Sequence, residues 1–178
     1  MKPMFETPRL VIREMSLDDL DFVAEMLADA EVMRFWPKTF SRDDSETWVL
    51  RQMDRYAEHG HGYWLVLSKA SDRPVGQVGL MTPEVDGVEE PALGYIIHRP
   101  FWRNGFATEA ARGTLNYAFD ALRKPRVITL IRPENVPSLG VARKIGMKRE
   151  GVTVHAGFEH WVFSLSREEW VAEPRLPM

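Results

Sequence analysis

The sequence has no cysteine. That excludes disulfide scaffolds, thiolate zinc sites and any route through a cysteine acyl-enzyme, so the chemistry must use other groups. No apolar run approaches the roughly 20 residues needed to span a bilayer, and Met1 to Arg9 is polar and interrupted by Pro3, Glu6 and Pro8. A cytoplasmic protein without a membrane partner is therefore expected. A strong excess of one charge is also missing: the formal net charge is -3, and Lys and Arg are spread along the chain instead of forming a stripe. Nucleic acid is not expected as a partner. No internal repeat, linker or low-complexity segment is present.

What is there suits one packed core. The 178 residues include 44% hydrophobic, 28% charged and 11% aromatic residues, so disordered and fibrous classes do not fit, and one domain spanning 1–178 is expected. Thr7 to Glu14, with Leu10 and Ile12 alternating against Val11 and Arg13, predicts a first strand. Ser16 and Asp19 resemble a capping box opening a helix over Leu17 to Ala28. Ser41 and Asp44 offer a second cap, followed by Trp48, Gln52, Met53 and Tyr56 at helical spacing, to about His59. His59 and His61 lack a third ligand and sit among glycines, so a loop is expected there and no metal.

Tyr63 to Ser68, Val75 to Met81 and Leu93 to His98 read as a three-stranded meander, with a turn at Asp86-Gly87. From Gly105 the helical spacing of Ala107, Ala110, Ala111, Leu115, Ala118, Phe119 and Leu122 continues to a stop at Lys124-Pro125. The β-branched strand Val127 to Ile131 follows, which predicts a right-handed crossover between parallel strands. Ser138 to Ile145 reads as a helix ended by Gly146, before strands near Lys148 to Val154 and His160 to Leu165.

The segment most informative about chemistry is Trp102-Arg103-Asn104-Gly105-Phe106-Ala107-Thr108-Glu109-Ala110, lying between an apolar strand and a helix rich in small residues. A helix N-terminus offers unpaired N–H groups and the positive end of its dipole, so this loop suits an anion such as pyrophosphate. Gly105 permits close backbone approach and Ala107 keeps the helix mouth open. Neither the Gly-Lys-Ser/Thr ending of a P-loop nor the three-glycine dinucleotide spacing is present.

The segment resembles the pyrophosphate loop of the GNAT family of N-acetyltransferases, in particular the RimJ/RimL-type branch, which commonly reads Trp-x-x-Gly-Tyr/Phe-Ala-Thr-Glu-Ala. Leu93-Gly94-Tyr95-Ile96-Ile97, Pro133-Glu134-Asn135-Val136-Pro137-Ser138, Lys144-Ile145-Gly146-Met147 and the opening Thr7-Pro8-Arg9-Leu10-Val11-Ile12-Arg13 extend the resemblance over almost the whole chain. The position three before Gly105, usually Gln or Arg in the wider family, is Trp102 here, with Arg103 beside it.

The resemblance implies a mixed, mostly antiparallel α/β sheet of six or seven strands with helices on both faces, splayed at the middle where acetyl-CoA binds. It implies main-chain cofactor contacts at Ile96, Ile97 and His98, phosphate contacts at Arg103, Asn104, Gly105, Phe106, Ala107 and Thr108, and a cofactor-arm contact at Asn135. Ser138 is then the proton donor to the departing thiolate or, on its own sequence, a helix cap. Lys144, beside Arg143, reaches phosphate or simply complements the helix dipole. No acid stands at Ala92, where this branch often carries one; Glu90 is the nearest carboxylate for the acceptor side. His155 and His160 are candidate bases or surface residues. Phe35, Trp36, Phe40, Trp48 and Trp64 either line the acceptor pocket or belong to the core. The expected activity is acetyl transfer from acetyl-CoA to a primary amine, on a protein N-terminus or a small molecule, by a monomer or homodimer. The alternative is a non-catalytic acyl-CoA sensor.

Overall fold

The computed structural model describes residues 3–172. A two-residue strand, β1 (Phe5–Glu6), folds back on β2 (Leu10–Arg13), where Leu10 and Ile12 are fully buried and Val11 and Arg13 half-buried. Of the Ser16–Asp19 capping box one half is made, the Asp19 carboxylate accepting the Ser16 N–H at 3.0 Å; the turn it opens, Leu17–Asp19, is a 3-10 turn, and α1 occupies Leu20–Ala28. Asp19 is shared: both its oxygens also take Arg13 guanidinium bonds, at 2.7 and 2.8 Å, tying the turn to the strand before it. α2 (Arg42–His59) begins on the Ser41–Asp44 capping box and ends on Gly60, whose φ of 72° only glycine adopts freely.

β3 (Tyr63–Ser68) and β4 (Arg73–Met81) form a hairpin, and the Asp86-Gly87 turn builds a small separate ribbon from β5 (Glu84–Val85) and β6 (Val88–Glu89) before β7 (Ala92–Ile97). α3 (Phe106–Asn116) is shorter than its periodicity predicts, because Tyr117–Ala121 winds as a π-helical turn before β8 (Arg126–Ile131). The turn carries Tyr117 to Phe5 (ring centroids 5.3 Å apart) and to Trp64 (5.5 Å). α4 (Val136–Lys144), β9 (Lys148–His155), β10 (Phe158–Ser166) and α5 (Arg167–Ala172) complete the order.

The main sheet runs β1-β2-β3-β4-β7-β8-β10-β9, eight strands, the edge strand β1 taking the number above six or seven. Every neighbouring pair is antiparallel except β7 and β8, which are parallel, as the α3 crossover requires. Alternation along β3 divides the interior: Trp64 and Val66 join the layer under α3, α4 and α5, while Tyr63 and Leu65 join the layer under α1 and α2. Among the described residues no helix is long and apolar enough to cross a membrane.

β3 and β4 approach closely at Gly79, where an added Cβ would collide with the Gly62 carbonyl and Tyr63 Cα, both main chain. Backbone cannot rotate away as a side chain does. Gly79→Ala is expected to lower the unfolding free energy by about 1–3 kcal/mol, and an unchanged thermal melt would contradict that close approach.

Candidate active site

β7 pairs with β4 along its whole length, from Met81 opposite Ala92 to Gly76 opposite Ile97, but with β8 at one position, Ala92 opposite Ile128. Beyond it the two parallel strands separate. Residues of an antiparallel ladder alternate in which edge their main-chain groups face. The His98 N–H donates to the Val75 carbonyl at 2.9 Å, which turns Ile96 and Gly94 toward β4 as well and leaves Tyr95 and Ile97 facing the gap. The Ile97 carbonyl accepts the Trp102 indole N–H at 2.7 Å. Tyr95 and the Ile97 N–H are thus a free strand edge, suited to an extended chain carrying amides.

This corrects two expectations. Both main-chain groups of His98 are occupied, since its carbonyl also accepts Phe101 N–H at 2.9 Å, and Ile96 faces β4. The two-residue repeat leaves Tyr95 and Ile97 as the residues whose main-chain groups face the gap.

At the end of the gap, Arg103 (φ 62°) and Gly105 (φ 79°) turn the chain sharply into α3. The first helical bond runs from Glu109 N–H to the Gly105 carbonyl at 3.0 Å, so the amides of Phe106, Ala107 and Thr108 have no intrahelical acceptor. Asn104 braces this loop through its side-chain amide, which donates to the Phe101 and Trp102 carbonyls at 3.1 and 3.2 Å. Glu109 fastens it to the N-terminal segment, accepting from the Thr7 hydroxyl (2.6 Å), Arg9 N–H (2.8 Å) and Arg9 Nε (2.6 Å). Partial burial raises the Glu109 pKa, but these bonds outweigh it and hold the carboxyl below its ordinary value. Arg9 also donates to the Asn104 carbonyl at 2.9 Å and lies 4.9 Å from the Phe106 ring centre. Lys144 is exposed at the far end of α4, where its carbonyl accepts from Arg112 at 2.7 Å, outside the cavity described next.

The gap opens into a cavity of about 720 Å³ lined by Leu93, Gly94 and Tyr95 of β7, Thr129 to Arg132 on the β8 side, and Asn135 and Ser138. Its other walls are the face of α2 carrying Trp48, Arg51 and Arg55, the Phe35 to Phe40 loop, and the β9–β10 hairpin with His155, Phe158 and His160. Asn135, not Ser138, caps α4: its Oδ1 accepts Ser138 N–H at 3.2 Å. The helix starts earlier than its apolar spacing indicates because Pro137 fits its first turn. The Ser138 carbonyl accepts the Tyr95 hydroxyl at 3.2 Å, and the Ser138 side chain interacts with that phenol as well. Burial pushes the Tyr95 phenol up to about 12.

The His155 and His160 rings lie 5.7 Å apart, and His160 Nδ1 is 2.9 Å from the Phe158 carbonyl. Desolvation and then the charge of His160 lower the His155 pKa. Trp36, Phe40 and Trp48 meet edge to face, 5.8 to 6.3 Å between centroids.

Trp64 and Glu90 do not belong to this wall. Strand alternation buries Trp64 completely on the opposite face, and Tyr63 takes the cavity side. Glu90 is held by Arg126 Nε at 2.9 Å. The sequence reading missed Tyr63, Arg51, Arg55 and Arg132, although Trp48, Arg51 and Arg55 already stand at one-turn spacing.

A model of the acetyltransferase (GNAT) domain matches residues 9–148. The chain belongs to the GNAT family. It is an N-acetyltransferase by that membership, and acetyl-CoA is the acetyl donor that the fold uses. YnaD of Bacillus subtilis, named an uncharacterized N-acetyltransferase, is 30% identical over 171 residues, covering 92% of this chain and 97% of that one. Spermidine N(1)-acetyltransferase of Escherichia coli K12 is 27% identical over 150 residues, covering 83% of this chain and 77% of that protein. The crystal structure of a GNAT-family acetyltransferase from Bacillus anthracis superposes with a TM-score of 0.80 at 27% identity, covering 92% and 98%.

The residues of this acetyltransferase fit acetyl-CoA on physical grounds: the open edge at Tyr95 and Ile97 offers partners for amides, and the α3 mouth offers donors to phosphate. With Asn135 as the cap, Asn135→Ala is expected to cost about 1 kcal/mol of stability and Ser138→Ala much less. Equal losses in chemical denaturation would return the capping role to Ser138.

Proposed function

We propose that the enzyme moves an acetyl group from acetyl-CoA directly to a primary amine, as a single domain and without an acyl-enzyme. The observation that carries this reading is the meeting of the free β7 edge with Ser138 inside one cavity. Acetyl-CoA supplies the thioester whose carbonyl the amine attacks. Phe106, Ala107 and Thr108 present their amides to its phosphates, with Arg103 and Gly105 shaping the approach. The Ile97 N–H is the donor placed to hold a carbonyl oxygen as it gains charge. Asn135 positions the start of α4, and Ser138 Oγ passes its proton to the departing sulfur and regains one from the newly acylated nitrogen. The Tyr95 hydroxyl fixes the Ser138 main chain. His155 takes the proton of the attacking ammonium, because its lowered pKa leaves the imidazole neutral near pH 7.

The test is thiol release from acetyl-CoA in the presence of primary amines, small molecules and a peptide with a free N-terminus. Turnover is expected. Its absence, with acetyl-CoA bound in calorimetry, would favour a non-catalytic sensor, a reading that draws on Ala92 filling a cavity position where a carboxylate base would otherwise stand. Ser138→Ala is expected to reduce kcat by roughly 10²-fold or more with little change in acetyl-CoA affinity, and unchanged turnover would remove the proton-donor role.

The sign of the pH dependence follows from His155. A lowered pKa keeps the ring neutral down to below the ordinary histidine range, so kcat/KM should hold near neutrality and fall only as the pH drops through that depressed value. His155→Gln should abolish that acid limb, and a limb that persists in the variant would assign it elsewhere.

A further inference from the structure

The cavity walls carry an imbalance of charge. Along α2, Trp48, Arg51 and Arg55 follow at spacings of three and four residues, which places them on one helix face, and all three line the cavity. Lys38, Arg132, His155 and His160 line it as well. Among the described residues the cavity wall contains one carboxylate, Asp44, and it is already committed. Asp44 accepts from Lys38 Nζ at 2.9 and 3.0 Å and from the Ser41 N–H at 3.0 Å. Arg132 is similarly engaged, with Glu134 at 3.5 Å and the Phe158 ring centre at 4.3 Å.

Arg51 and Arg55 remain, the first exposed and the second half-buried, with no ion-pair partner among the described residues. Two guanidiniums one helical turn apart repel, and an anion between them would reverse that repulsion through forked, charge-assisted bonds. Beside them Trp36, Phe40 and Trp48 supply an apolar roof.

We infer that the acceptor is a small primary amine that also carries a carboxylate or phosphate group, held by Arg51 and Arg55 while the amine points toward Ser138 and β7. The inference rests on the acetyl-transfer reading above and names its acceptor class. A cavity of about 720 Å³ has room for such a molecule. The same wall disfavours a polyamine, whose positive charges would meet Arg51 and Arg55.

The experiment compares kcat/KM by thiol release for matched amines: phosphoethanolamine against ethanolamine, β-alanine against its amide, with spermidine and a peptide N-terminus alongside. At least one acid-bearing amine should exceed its neutral partner by on the order of tenfold or more. Arg51→Gln and Arg55→Gln should each shrink that ratio, and the double variant should bring it close to one. Arg51→Lys should keep part of it, and acetyl-CoA affinity measured in parallel should stay constant. Equal rates within both pairs, or spermidine or the peptide as the best acceptor, would overturn the acidic-acceptor inference and leave acetyl transfer standing. No thiol release with any amine would overturn acetyl transfer and this inference with it.

Discussion

β7 and β8 share a single paired position, Ala92 opposite Ile128, and the site is arranged around the gap that follows. A buried strand edge left without partners costs about 1–3 kcal/mol for each unmet group, so the separation must be enforced by its surroundings. On one side β4 holds β7 straight along its whole length; on the other β10 holds β8 through six paired positions. Between them the Tyr95 side chain reaches the first turn of α4, and the Trp102 indole satisfies the Ile97 carbonyl at the rim. The remaining donors and acceptors then face a space that an extended amide chain can fill.

The same economy operates at the helix mouth. Glu109 sits in the first turn of α3, where a carboxylate suits the dipole, yet its bonds go to Thr7 and Arg9, distant in sequence. This ties the β1–β2 turn to the loop before α3 and sets Arg9 over Phe106. Trp102 has a corresponding part: where the wider family usually places a polar side chain, its ring anchors the loop to the end of β7 through one hydrogen bond. Loop and strand edge are therefore held in register by side chains, independently of any ligand.

The cavity combines an apolar roof, a nearly neutral floor at β7 and Ser138, and a cationic wall. Its one carboxylate is neutralised by Lys38 and held to about 2 by bonds from Ser41 and Lys38, so it cannot offset the arginines of α2. His155 on the opposite hairpin is biased toward its neutral form. His155 and the two arginines thus stand on different walls of one space.

Much of this was legible in the residues. The alternation of Leu10 and Ile12, the Ser41–Asp44 box, the meander and the glycine-led entry into α3 are local signals, and each dictates local structure through side-chain periodicity or backbone φ. Phe35, Trp36, Asn135, Ser138, His155 and His160, separated by up to about 125 positions, do share one cavity. What sequence could not supply was the direction in which groups face. Whether Ile96 or Ile97 meets the gap depends on which edge β4 occupies; whether Trp64 or Tyr63 lines the cavity depends on which layer packs above β3. The π-helical turn at Tyr117, and the lack of ion-pair partners for Arg51 and Arg55 among the described residues, are likewise settled by neighbours far along the chain. Composition, period and motif determined the elements and the family, because those depend on contacts within a few residues. Tertiary packing alone decided the strand splay and the charge of the acceptor wall, because hydrogen-bond partners and ion pairs are properties of juxtaposed surfaces.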